Sequence, residues 1–105
     1  MNIVKSLVCA LLVSSQAYAL TAEDEYYAFR TSLVKSCAQY AVNTHKPYAK
    51  QFESLSDEVM QRFVITYSHD ELDHLRKYVR FGVDKVQTSD NKDALCSSLY
   101  SKLKG

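Results

Sequence analysis

The chain has 105 residues, nearly half of them hydrophobic, with 13 basic and 12 acidic side chains and a formal net charge of +1. That balance argues against a nucleic-acid binder, which carries a basic excess on one face, and against a basic amphipathic helix lying on an anionic membrane. Two glycines and one proline are too few turn formers for a many-stranded β fold, so long helices with few connections are expected.

Residues 1–19 read as a secretory signal peptide. Met1 to Lys5 is a short basic start, Ser6 to Ser15 an apolar run, and Ala17-Tyr18-Ala19 a small-x-small step for cleavage near Ala19. The apolar run is shorter than the roughly 20 residues that span a bilayer, so no stable membrane insertion is expected. Residues 20–105 would then form a single domain in the periplasm or outside the cell. Cleavage would remove Lys5 and Cys9, leaving twelve basic against twelve acidic residues and the pair Cys37 and Cys96. An even pair in an oxidising compartment predicts a disulfide. Closing a loop of about 60 residues, it would contribute about 4 kcal/mol, comparable with the net stability of a small domain.

Four helices follow in chain order. Thr21 can cap the first, with Asp24 three positions on in capping-box style. Tyr26, Phe29, Leu33, Cys37, Tyr40 and Ala41 recur at three- and four-residue steps along one face. Lys46-Pro47 is predicted to end it, because proline disfavours helical geometry in the residue before it. Tyr48 to Ser54 reads as a connection with room for a short helical turn. Ser56 is the expected N-cap of the second helix, with Asp57 and Glu58 at its positive end and Leu55 and Met60 forming a hydrophobic staple. Val59, Phe63 and Tyr67 form its stripe, widened by Met60 and Val64.

The third helix is expected from the capping box Ser68-His-Asp-Glu71, with Leu72, Leu75, Val79, Val83 and Val86 down one face. Acidic residues lead and basic ones follow, an order that complements the helix dipole. Gly82 within it predicts close packing or a kink. A break at Thr88 to Asn91, with Ser89 or Asp90 as cap, leads to a last helix carrying Leu95, Leu99 and Leu103 beside Cys96. The fold class is therefore all-α: a small four-helix domain with one disulfide joining the first and last helices.

The densest polar cluster is His69-Asp70-Glu71-Leu72-Asp73-His74. His69 with Asp73, and Asp70 with His74, are i,i+4 pairs, a spacing that can hold zinc. The histidines themselves are five apart, about 140° around a helix, so His69, Asp73 and His74 do not share one ligand face. A capped acidic helix start explains the cluster, and no metal or other cofactor is expected. His45 falls at the end of the first helix, where the dipole favours a cation. The three histidines together could sense acidification, since histidine titrates near neutrality. No glycine-flanked serine elbow or glycine-rich phosphate loop is present in the sequence, and each carboxylate pair sits at a helix start, so no catalytic residue is assigned and an enzyme is not expected.

Seven of the eight tyrosines lie beyond residue 19. Most are expected to pack with their hydroxyls at the edge of the core. Tyr26 and Tyr27 are adjacent and cannot both point inward, and Tyr78 flanks the core stripe of the third helix. Tyrosine with arginine is common at the energetic centres of protein interfaces. Tyr78, Arg76 and Arg80, with Tyr26 or Tyr27, are therefore the predicted partner-binding residues, and a protein partner is expected.

The step Cys37-Ala-Gln-Tyr40, with Cys96 as second cysteine, resembles the cysteine-x-x-tyrosine step on a helix of periplasmic immunity proteins that neutralise type VI secretion amidase effectors. The resemblance covers a handful of residues, and the glycines expected around that step are missing. It implies a small, exported, cysteine-bridged helical protein that plugs a toxin's active cleft stoichiometrically, often as a homodimer. Two other roles fit the same composition: a periplasmic stress chaperone, and an accessory subunit of an envelope or secretion complex.

Overall fold

The computed structural model describes residues 19–105; the reading of residues 1–18 as part of a leader lies outside the described residues. Among the described residues there are four helices: α1 (Ala22–Asn43), α2 (Ala49–Thr66), α3 (His69–Gln87) and α4 (Lys92–Lys104). Among the described residues there is no strand. The all-α reading holds, and Cys37 in α1 is bonded to Cys96 in α4.

Both capping boxes form as the sequence implies. The Thr21 backbone N–H donates to Asp24 Oδ2 (2.8 Å), and the Asp24 N–H donates back to Thr21 Oγ1 (3.2 Å). Ser68 and Glu71 repeat the arrangement at the start of α3. Each box satisfies donors that the first helical turn leaves without partners.

The end of α1 comes earlier than Lys46-Pro47. His45 adopts a left-handed backbone, φ 57°. Its N–H donates to Val42 O, and the Lys46 N–H donates to Ala41 O. This is a Schellman motif, with histidine where glycine is usual. The reversal at His45, not the proline, stops the helix.

The start of α2 corrects the sequence reading. The helix begins at Ala49, so Tyr48 to Ser54 is its first two turns and not a connection. Ser56 lies in its interior, 1% exposed, and does not cap it. The expected Leu55–Met60 staple accordingly falls in mid-helix. The cause is tertiary: Phe52 is fully buried in the core with Ala38 and Ala41. Helical backbone through residues 49–55 puts Phe52 and Ser56 on one face. At the start of α4, Asn91 rather than Ser89 or Asp90 is the cap, accepting the Ala94 N–H at 3.0 Å.

Helix α1 is the hub on which α2, α3 and α4 pack. It runs antiparallel to α2: Tyr27 near its start meets Phe63 and Tyr67 near the end of α2. It runs parallel to α3, with Gly82 set directly on α1. A Cβ at Gly82 would stand 1.8 Å from Ser32 Oγ and 2.4 Å from Phe29 O. Close approach of two backbones is therefore why glycine occupies that position.

The core falls into two clusters. One gathers Val34, Cys37, Ala38, Ala41, Phe52, Val86, Cys96 and Leu99. The other holds Ala28, Phe63 and Leu75, flanked by Leu20, Tyr27, Tyr67, Leu72, Tyr78 and Val79. Between them, on each of the three long helices, sits a small or polar buried residue: Thr31 and Ser32 on α1, Ser56 on α2 and Gly82 on α3.

Candidate partner surface

The tyrosines show which aromatic groups belong to the core and which face outward. Tyr27 packs edge-on to Phe63 at 5.3 Å and lies 6.1 Å from the Tyr67 ring. Tyr48 stacks on Tyr100 at 4.8 Å, and both contact Phe52. These rings bury apolar area between helices and keep their hydroxyls at the margin.

Two tyrosine hydroxyls donate to carboxylates, and each bond ties α1 to a different part of the fold. Tyr67, the residue after α2, donates to Asp24 Oδ1 at 2.6 Å. Tyr40 donates to Asp93 in the first turn of α4, where Lys46 also pairs with the same oxygen at 2.9 Å. Tyr78 on α3 packs against the second core cluster. The tyrosine at the other end holds Asp24 and Asp93 below the usual carboxylate range, aided by Thr21 and Lys46 respectively. The Tyr40 hydroxyl is raised chiefly by its bond to Asp93, and that of Tyr78 chiefly by the neighbouring Glu25 carboxylate. Tyr67 is raised first by burial and then by its bond to Asp24.

Four rings remain near the α1–α3 crossing and face outward to different degrees. Tyr26 is 62% exposed and Phe81 52% exposed. Tyr26 neighbours Phe29 at 6.3 Å, and Phe81 meets Tyr78 edge-on at 5.8 Å. Because Gly82 rests on the Phe29 backbone, the two pairs stand on either side of one helix contact. Lys77 Nζ lies 5.1 Å from the centre of the Tyr78 ring, within range of a cation–π attraction.

The five predicted partner residues do not share one face. Residues two apart on a helix project about 200° apart, so Tyr78 points away from Arg76 and Arg80. The contacts agree with that geometry. Arg76 pairs with Asp73 at 2.8 Å and lines a cleft with Phe63, His69, Leu72, Asp73 and Val79. Arg80 lies on the outer side of α3 with Asp73, His74, Arg76 and Lys77. Tyr26 is on the aromatic side, and Tyr27 is packed into the second core cluster.

Phe29 and Phe81 were not among the predicted residues. Phe81 carried a signal: it falls off the Leu72–Val86 stripe yet lies three residues from Tyr78, so the two share a flank of α3. Phe29 fitted the core face of α1 and gave no such sign.

Among the described residues, no group of three or more His, Cys, Asp or Glu side chains is placed to hold a metal ion. Asp73 is engaged by Arg76, and His45 stands exposed at the end of α1. No described helix is long and apolar enough to cross a membrane.

Set against protein-family models, curated proteins and solved structures, the chain matches none. The reading of its surface therefore rests on its own geometry.

Proposed function

We propose that this chain is an exported, non-enzymatic protein that binds a protein partner through the strip formed by Tyr26, Phe29, Tyr78 and Phe81. In this reading it is an inhibitor or immunity protein that works by covering its partner's surface. The observation that carries the proposal is the exposure of Tyr26 and Phe81, 62% and 52%, on rings held in place by neighbouring rings. Aromatic side chains give large contact area for little lost freedom, and clusters of them are typical anchors of interfaces. The other tyrosines are explained by core packing and carboxylate bonds; Tyr26 and Phe81 are not. The Cys37–Tyr40 step, bridged to Cys96, supports the narrower immunity reading.

The test starts with the chain beginning at Leu20, used as bait against envelope and secreted fractions, followed by calorimetry on the partner recovered. Tyr26→Ala and Phe81→Ala should each weaken that complex by tenfold or more, the loss of about 1.4 kcal/mol expected of an anchor. Arg80→Glu, on the other side of α3, should leave it within a few-fold. Unchanged affinity in both aromatic variants would remove the strip from the interface. If the purified partner is a toxin, its activity should fall to zero at one equivalent of this protein.

A further inference from the structure

We infer that the domain is built as two lobes that open separately: a stapled lobe around Cys37–Cys96 and a free lobe around Ala28, Phe63 and Leu75.

The division begins with what fills the core. In the stapled lobe, eight buried residues are contiguous across α1, α2, α3 and α4. The disulfide lies inside that cluster, both cysteines fully buried. One turn further along α1 and one turn back along α4, the Tyr40–Asp93–Lys46 contacts repeat the join between the two helices. The free lobe has three buried residues, of which one is alanine. Among the described residues no covalent link reaches it, and the Tyr67 hydroxyl ties it to α1 by donating to Asp24.

Between the lobes the core is interrupted. Thr31, Ser32 and Ser56 are 2%, 4% and 1% exposed, and Gly82 has no side chain to contribute. Ser32 Oγ donates to Phe29 O, whereas Thr31 Oγ1 and Ser56 Oγ are buried without a hydrogen-bond partner. An apolar residue at these positions would continue the hydrophobic contacts from one cluster to the other. A buried hydroxyl without a partner instead opposes burial. Cooperativity depends on continuous packing, so a polar waist favours two opening units over one. The α2–α3 contact is too slight to bypass the waist, since both helices make their main contacts with α1.

Opening of the free lobe would involve residues 22–30 of α1, 60–66 of α2 and 69–79 of α3, with the Tyr67–Ser68 turn between them. The stapled lobe would keep residues 34–43, 49–55, 83–87 and α4. This inference does not depend on the partner reading. The two meet because Tyr26, Phe29 and Tyr78 stand at the free lobe, so a protein seated on them would slow its opening.

Native-state hydrogen exchange on the oxidised full chain, at low denaturant, tests the division. Amides of residues 62–66 and 73–79 should exchange at least about tenfold faster than those of residues 37–41 and 95–99, through an opening with a smaller denaturant dependence. A single opening shared by all these amides would overturn the inference. Leu75→Ala supplies an independent check, because Leu75 is fully buried in the free lobe. Exchange should quicken in the free lobe while residues 37–41 and 95–99 keep their wild-type rates. Equal acceleration throughout, or loss of all protection, would show one cooperative unit.

Discussion

The Tyr67 hydroxyl donates to Asp24 Oδ1 at 2.6 Å, so the carboxylate that caps the start of α1 also receives the end of α2. A capping side chain is normally local. Here it also serves a residue 43 positions away, coupling helix initiation to tertiary packing.

This bond titrates at both ends, and the signs are opposite. Asp24 sits below its ordinary value, so its contribution is present above the unfolded carboxylate range and is lost as pH falls through the folded value, below about 4. Tyr67 is raised, so its contribution is complete below about pH 10 and is lost as pH climbs through its higher folded value. Thermal unfolding followed from pH 2 to 11 should give a plateau that falls on both sides. Asp24→Asn should flatten the acid limb. Tyr67→Phe should lower stability by about 1 kcal/mol at neutral pH, the net worth of one such hydrogen bond. An unchanged melting temperature in Tyr67→Phe would show that the bond adds nothing.

Gly82→Ala should be strongly destabilising. The new methyl would lie 2.4 Å from Phe29 O and 2.9 Å from Leu33 N, both backbone atoms that cannot rotate away. Separating α1 from α3 to make room should cost on the order of 1–3 kcal/mol, despite alanine's better helix propensity. Urea denaturation measures it. A stabilised variant would mean that the helices part without loss.

His45→Gly should stabilise the fold by about 0.5–1 kcal/mol. Position 45 needs φ 57°, a region that costs glycine little and other residues more. His45→Val should move in the opposite direction, because a β-branched side chain is strained there. If the two variants unfold at the same denaturant concentration, the left-handed backbone is not limiting.

Replacing both Cys37 and Cys96 with alanine should lower stability by about 4 kcal/mol through the freed unfolded chain alone. In the native protein both sulfurs are buried, so reduction by dithiothreitol should be slow until denaturant is added. Fast reduction under native conditions would place the bond nearer the surface than described.

What was legible in the sequence was mostly local. Thr21 with Asp24 and Ser68 with Glu71 announce helix starts because the donors and acceptors lie within three residues. Cys37 and Cys96 could be paired because loss of Cys9 with the leader would leave an even pair in an oxidising compartment. Ser56 misled for the same local reason. Serine before two acids looks like a cap, and only the burial of Phe52 against α1 shows that the helix had already begun. The partner surface suffered from projecting sequence neighbours onto space: Arg76, Tyr78 and Arg80 are close in the chain but divided around α3. Phe29 could not be found at all, since a residue on a core face reads as core until the fold shows it only half-buried.

The bond between Cys37 and Cys96 makes a closed ring of the chain that contains all of α2 and α3. A protease that cuts once in the Tyr67–Ser68 turn therefore releases nothing. The two pieces stay attached and migrate as one band without reductant, then separate into two with it. A single nick in that turn therefore keeps both halves at hand until the disulfide is reduced.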